Sequence, residues 1–300
     1  ATNYAAILNR MAGALAPDEM EPAKPDIYEK DGIVSAFFGG HPSVQRAGHS
    51  LALGVFIGDA PAWDQIGSEV PDGSFSLYRV GEEQIELITD VGASRTIWHA
   101  CTEELFVAAS SIRLVVALLG DLQFDDRALA WTLSSGNLGP GFSWDRRVQC
   151  VTGDAVLTLD RRTWQTDLKV EFPDHTIGTE SDEWFEQHLH DAMRDSVAHL
   201  DCRGANWGIS MSGGLDTRRL IGMIGRPTPC ITWGLPGTDH TPGGDVEIAK
   251  RVCEQYDMPF TFYSLDRAAC PVETAIDRFI IGTEGRTDNI GGYLDGLAIW

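Results

Sequence analysis

The residues Ser210-Met211-Ser212-Gly213-Gly214-Leu215-Asp216-Thr217 bring hydroxyls, two adjacent glycines and an acid together, where an apolar run ends and a helical pattern begins. Paired glycines let the backbone turn tightly, so that successive N–H groups face outward and cradle an anion. The helix that follows adds the positive end of its dipole. Ser212 and Thr217 supply hydroxyl donors on either side of the turn. Asp216, an acid beside a phosphate site, is expected to hold Mg2+ between its carboxylate and the phosphates. The pattern predicts nucleotide binding through the phosphates. It is not the Gly-x-x-x-x-Gly-Lys-Ser/Thr loop, because no lysine stands at the helix start. A plainer reading makes Gly213-Gly214 a simple turn and Asp216 a first-turn acid; the full hexapeptide between strand and helix favours the nucleotide.

Such a loop needs a parallel sheet behind it. A strand over 206–211, a helix from Thr217, a strand Cys230–Gly234, a helix Asp245–Tyr256 and a strand Phe260–Ser264 alternate in the way that builds one, with ligands at the carboxyl ends of the strands. Before them, Ser181 is placed to cap a helix whose Phe185, Leu189, Met193, Val197 and Leu200 form a stripe expected to face a sheet.

The first half reads differently. Short apolar runs over Ser50–Ile57, Ser74–Val80, Gln84–Asp90, Leu105–Ala108 and Ala155–Leu159 predict strands, and Asp125 and Asp126 cap a short helix that stops near Gly136. The turn-forming stretch from Phe172 to Glu180 predicts a linker. The expected organisation is therefore two α/β domains, 1–175 and 176–300.

A formal net charge of −21 over 300 residues repels a phosphate backbone, and no basic patch offsets it, so nucleic acid is not an expected partner. Cys101, Cys150, Cys202, Cys230, Cys253 and Cys270 stand singly, without zinc-site spacing, and are expected to be reduced and mostly in cores. With no apolar run approaching the ~20 residues that span a bilayer, the expectation is a cytoplasmic protein with no membrane partner.

The loop resembles the Ser-Gly-Gly-x-Asp-Ser signature of the ATP-pyrophosphatase superfamily, with Thr217 in place of the last serine. The whole chain resembles asparagine synthetase and its relatives, which include β-lactam synthetases and lasso-peptide cyclases. Ile231-Thr232-Trp233-Gly234 stands where the family lines its adenine pocket, and Asp245 to Val252 matches its acid-x-x-x-Ala-x-x-Val helix, in which the plainer roles are capping by Asp245 and packing by Ala249 and Val252. Upstream, Asp72-Gly73-Ser74-Phe75, Leu87 to Gly92 and Leu105 to Ser110 resemble, in order, a glutaminase-like domain. The resemblance implies an Ntn-hydrolase-type α/β sandwich followed by a parallel-sheet ATP-pyrophosphatase domain. It implies a nucleotide site at Ser210, Ser212, Gly213, Gly214, Asp216, Thr217, Trp233 and Gly234, with ATP and Mg2+ as cofactors and a small-molecule or peptide carboxylate as substrate.

Departures from that family pattern shape the expectation. A working glutaminase begins with cysteine, whereas residue 1 is Ala1, and Leu15-Ala16-Pro17-Asp18 is the nearest match to the usual Arg-Gly-Pro-Asp. Only about a dozen residues separate Gly58-Asp59 from Asp72-Gly73, so the helical segment carrying a glutamine-binding acid is expected to be deleted. The resemblance implies a second metal-binding aspartate and a late lysine, expected beyond Trp300 in a further segment of chain or carried elsewhere; a homo-oligomer is the other partner expected. Thr283 to Asn289 resembles the family's Thr-Asp-Gly segment and is expected either to face substrate or to be a solvated loop. The reading that results is an AMP-forming synthetase that joins a carboxylate to an amine other than ammonia, giving an amide, lactam or macrolactam. A glutamine-dependent asparagine synthetase and a non-catalytic nucleotide-binding scaffold are the alternatives.

Overall fold

The structure, a computed structural model, describes residues 3–16, 22, 24–39, 43–171, 178–199, 207–265 and 270–291. The chain is mixed α/β and divides into two compact units, Ala1–Asp174 with Asp277–Asp288, and His175–Ile276 with Asn289–Trp300. The expected linker lies largely outside the described residues, as do Ala1, Pro17, Asp18, Cys202 and Trp300.

The first unit opens with helix α1 (Tyr4–Leu15) and a hairpin of β1 (Asp26–Lys30) and β2 (Ile33–Phe37). There follow β3 (Val44–Ala47), β4 (Ser50–Ile57), β5 (Asp72–Val80), β6 (Gln84–Thr89), β7 (Trp98–Cys101), β8 (Phe106–Ala109), α2 (Ile112–Leu119), α3 (Asp126–Ser135), β9 (Gln149–Cys150), β10 (Ala155–Asp160) and β11 (Thr166–Val170). An antiparallel sheet in the order β11-β10-β6-β5-β4-β3 carries the unit, with a smaller antiparallel sheet β8-β7-β9 beside it.

Alternation along the strands sets the layers. Leu51, Tyr78, Leu87 and Leu157 of the large sheet pack with Ile97, Val151 and the β8 residues Phe106 and Ala108. Trp98, Ala100, Val107 and Ala109 on the other face of the small sheet pack against Leu8 of α1 and Ile112, Leu114 and Val115 of α2. Each fully buried large apolar side chain contributes about 1.5–3 kcal/mol. Phe75, Leu77 and Ile88 on the opposite face of the large sheet are covered by Phe56 and Trp63. Two glycines permit the β4–β5 pairing: Gly54 and Gly73 adopt φ 129° and 144°, and a Cβ would lie 2.1 Å from Ser74 O and 2.2 Å from Val55 O respectively. The glycine of Asp72-Gly73 is thus required by the fold.

Between β4 and β5, residues 58–71 form turns and no helix. A buried guanidinium holds them. Arg79 donates to Trp63 O at 2.7 Å, Ser68 O at 2.8 Å and Glu69 O at 2.8 Å, and faces Glu86 at 3.3 Å. Glu86 in turn accepts from Gly67 N at 3.0 Å. Asp90, at the end of β6, accepts from Phe75 N, Gly92 N, Ser94 N and the Ser94 hydroxyl.

The second unit contains α4 (Asp182–His199), β12 (Ile209–Ser210), α5 (Leu215–Ile224), β13 (Cys230–Gly234), α6 (Asp245–Gln255) and β14 (Phe260–Ser264). The three strands form a parallel sheet in the order β12-β13-β14. Ile209, Met211, Ile221, Cys230, Ala249 and Cys253 are among its buried core. The stripe of α4 does not behave as its period suggests. No residue of α4 is buried, and Trp184, Phe185 and Leu189 are exposed, so helical spacing identified the helix but not a covered face. The thiols also differ from expectation: of the five described cysteines, all free, Cys230 and Cys253 are buried, Cys150 and Cys270 half-buried and Cys101 exposed.

The chain then forms α7 (Val272–Thr283), and Asp277–Asp288 belongs to the first unit. Glu284 is neither a solvated side chain nor one turned to a ligand. Its carboxylate accepts from the Ser111 hydroxyl, from Ile112 N at 3.1 Å and from Arg113 N at 3.3 Å, and so caps the start of α2. Its carbonyl accepts from Trp144 Nε1 at 3.1 Å, while Leu138 N donates to Arg286 O and Asp288 N to Gly136 O. Residues 283–288 are thus part of the first unit, held by these bonds.

Among the described residues no helix is long and apolar enough to cross a membrane.

Candidate functional site

The loop 211–217 leaves β12 and enters α5 at the carboxyl end of the parallel sheet, where Met211 N donates to Ile231 O at 2.8 Å and the buried Thr232 hydroxyl donates to Met211 O at 2.6 Å. Ser210, exposed, is paired with Ile231 in the last register position of β12. Gly214 stands at the N-cap position of α5 with no side chain capping the helix, so its first-turn amides carry the helix's positive end without a side-chain acceptor. Asp216 is exposed in that first turn, and its carboxylate makes no hydrogen bond or ion pair among the described residues.

The hydroxyls are used differently from the expectation of two outward donors. Thr217 Oγ1 donates to Ser212 O at 2.9 Å, and the Ser212 and Thr217 hydroxyls lie 3.2 Å apart. Ser212 Oγ accepts from Gly214 N at 3.2 Å. Thr217 therefore closes the loop; its one hydrogen goes to Ser212 O, so Ser212 donates the contact between the two hydroxyls and would turn from Thr217 to donate to a phosphate. The glycines also have a different reason. Neither Gly213 nor Gly214 has a positive φ. A Cβ on Gly213 would lie 2.9 Å from Asp245 Oδ1, 3.0 Å from Asp245 O and 3.1 Å from Ile248 Cβ. Gly213 is needed because the first turn of α6 presses against it.

Trp233 and Gly234 end the central strand β13, with Gly234 O accepting from Leu265 N at 2.8 Å on the β14 side. Backbone groups alternate along a strand. Ile231 points its carbonyl to β12, so Trp233 points the same way, where β12 has already given way to the loop and no ladder partner stands among the described residues. An N–H and a C=O are thus presented together at the mouth of the sheet.

Asp245 was expected to cap its helix. The N-cap position of α6 is Gly244, with no side-chain cap, and Asp245 Oδ1 instead accepts from Gly213 N at 2.7 Å. Ala249 does pack, wholly buried, while Val252 is only partly buried against the core. The contact to the loop was missed because a first-turn acid reads as a cap; the sequence Gly243-Gly244-Asp245, which leaves the N-cap position without a side chain, was the available signal. Among the described residues no group of three His, Cys, Asp or Glu side chains comes together.

The site therefore joins Ser212, the first-turn amides of α5, the exposed Asp216 carboxylate and the backbone edge of Trp233. No family model matches the chain, and no curated protein was found that matches it.

Proposed function

We propose that this protein is an ATP-dependent, AMP-forming amide synthetase that activates a carboxylate as an acyl-adenylate and joins it to an amine. The observation that carries the reading is the uncapped start of α5 with the exposed Asp216 carboxylate, without a partner among the described residues, beside it at the carboxyl end of a parallel strand. Bare first-turn amides favour phosphate oxygens. The Asp216 carboxylate, a hard oxygen donor, would hold a magnesium ion, which would supply neutralisation of charge on the leaving pyrophosphate. The backbone edge at Trp233 suits the hydrogen-bonding edge of a purine. In the first step a substrate carboxylate oxygen bonds to the α-phosphorus as the bond to the β-phosphate bridging oxygen breaks, and the Ser212 hydroxyl and α5 amides stabilise the departing pyrophosphate. An amine then bonds to the acyl carbon, AMP leaves, and the nitrogen loses a proton.

The first unit supports an amine other than ammonia. Where the resembled glutaminases carry a helical segment, residues 58–71 are turns whose carbonyls are taken up by Arg79. In this reading it is a vestigial glutaminase-like sandwich, the second unit is of ATP-pyrophosphatase type, and an amine on the substrate itself gives a lactam or macrolactam.

Calorimetry with MgATP tests the site: wild type binds, and Asp216→Ala loses at least tenfold in affinity. Turnover with a carboxylate substrate yields AMP and pyrophosphate, with no glutamate released from added glutamine. Formation of ADP, or equal MgATP binding by Asp216→Ala, refutes the reading.

A further inference from the structure

Among the described residues, one hydrogen bond ties positions 212–217 to an element other than α5, and it is the bond from Gly213 N to Asp245 Oδ1 at 2.7 Å. The remaining bonds of the loop are internal, between Ser212, Gly214 and Thr217, or run from Arg218 Nε to Gly214 O. Asp245 sits on a fixed base, because Val246, Ala249 and Cys253 of the same helix are buried in the core of the unit. A methyl group on Gly213 would sit 3.0 Å from Asp245 O and 3.1 Å from Ile248 Cβ, so that α6 or the loop would have to give way by a few tenths of an ångström. A carboxylate at the first position of an uncapped helix would ordinarily stay with its own amides. Here it reaches across to the loop.

Resting on the phosphate reading of this loop, we propose that Asp245 is a positioning residue for nucleotide binding. It takes the Gly213 amide out of the anion-binding set and locks the loop against α6, so that phosphates are received by the amides from Leu215 onward and by the Ser212 hydroxyl. A charge-assisted bond of this kind is about twice as strong as a neutral one and sets direction as well as distance. The opposite role, a resident anion that phosphate must displace, fits the close backbone packing less well, because that packing persists whether or not the carboxylate is there.

The two roles move affinity in opposite directions. In the full chain, Asp245→Asn keeps an oxygen that accepts from Gly213 N, and its MgATP affinity is expected to stay within about threefold of wild type. Asp245→Ala is expected to weaken MgATP binding about tenfold, and hydrogen exchange at the Gly213 amide is expected to speed up in Asp245→Ala but not in Asp245→Asn. Gly213→Ala, which pushes α6 away, is expected to weaken binding at least as much as Asp245→Ala. MgATP binding in Asp245→Ala that equals or exceeds wild type overturns the proposal and leaves the nucleotide reading standing. Absence of MgATP binding in the wild type overturns both.

Discussion

In the antiparallel unit, Asp90, Asp145 and Glu284 each accept from several donors, whereas Asp216 in the parallel unit stands exposed with none among the described residues. Asp145 is wholly buried and is gripped by Gln123 N and by Arg147 through its backbone amide, Nε and Nη2. Burial of Asp90 and Asp145 by itself disfavours their charge; the donors around them outweigh it and hold both carboxyls below the usual range. Acids of this kind shape loops. An acid with no partner beside bare amides can bind something, and the contrast separates structural from chemical carboxylates more sharply than residue type does.

The largest test of that contrast is Arg79→Ala. It leaves Glu86 charged and nearly buried and strips three carbonyls of their donor, so unfolding by urea is expected at a cost of about 3–5 kcal/mol. A loss under about 1 kcal/mol means that the 58–71 connection is held by other contacts.

Next comes His99, a buried side chain whose Nδ1 has no partner among the described residues. Burial lowers its pKa from 6.5 to about 4, so the folded unit keeps it neutral. The stability this contributes is complete above about pH 6.5 and is lost as pH falls from there to about 4, on the order of 3 kcal/mol. Asp90 and Asp145 act in the same direction lower down: their contribution is complete above about pH 3.9 and is lost as pH falls through their depressed values. A stability–pH profile of His99→Leu is expected to fall less steeply than that of the wild type between about pH 6.5 and 5, where His49, also lowered by burial, still contributes; parallel profiles contradict a buried neutral imidazole.

The smallest effects come from a matched pair. Glu284→Ala removes the acceptor at the start of α2 and is expected to cost about 1 kcal/mol. Asp216→Asn is expected to stay within about 0.5 kcal/mol of wild type in stability. A reversed order in thermal unfolding would erase the distinction between the two carboxylates.

Local pattern carried much of the fold. The strands Cys230–Gly234 and Phe260–Ser264 stand at their expected bounds, α3 ends at Gly136, and α6 begins at Asp245, because apolar runs and first-turn acids act over a few residues. Helix α2 went unread: Ile112–Leu119 is almost unbroken apolar, so no polar face reveals its period. Contacts across the chain were not legible either. Ile112 and Glu284 are 172 positions apart, and nothing near Glu284 signals a cap for a distant helix. At the candidate site the sequence identified the loop but gave its glycines a turn's reason, since a missing Cβ looks the same whether it frees φ or admits a neighbouring helix.

Surface turns between strands are ordinarily where proteases begin and where inserted residues are tolerated. Residues 63–69 are expected to resist both, through the carbonyls of Trp63, Ser68 and Glu69. With their carbonyls gathered on the Arg79 guanidinium, opening the segment means exposing a charge from the interior of the sheet, so what looks like a dispensable connection shares the stability of the strands it joins.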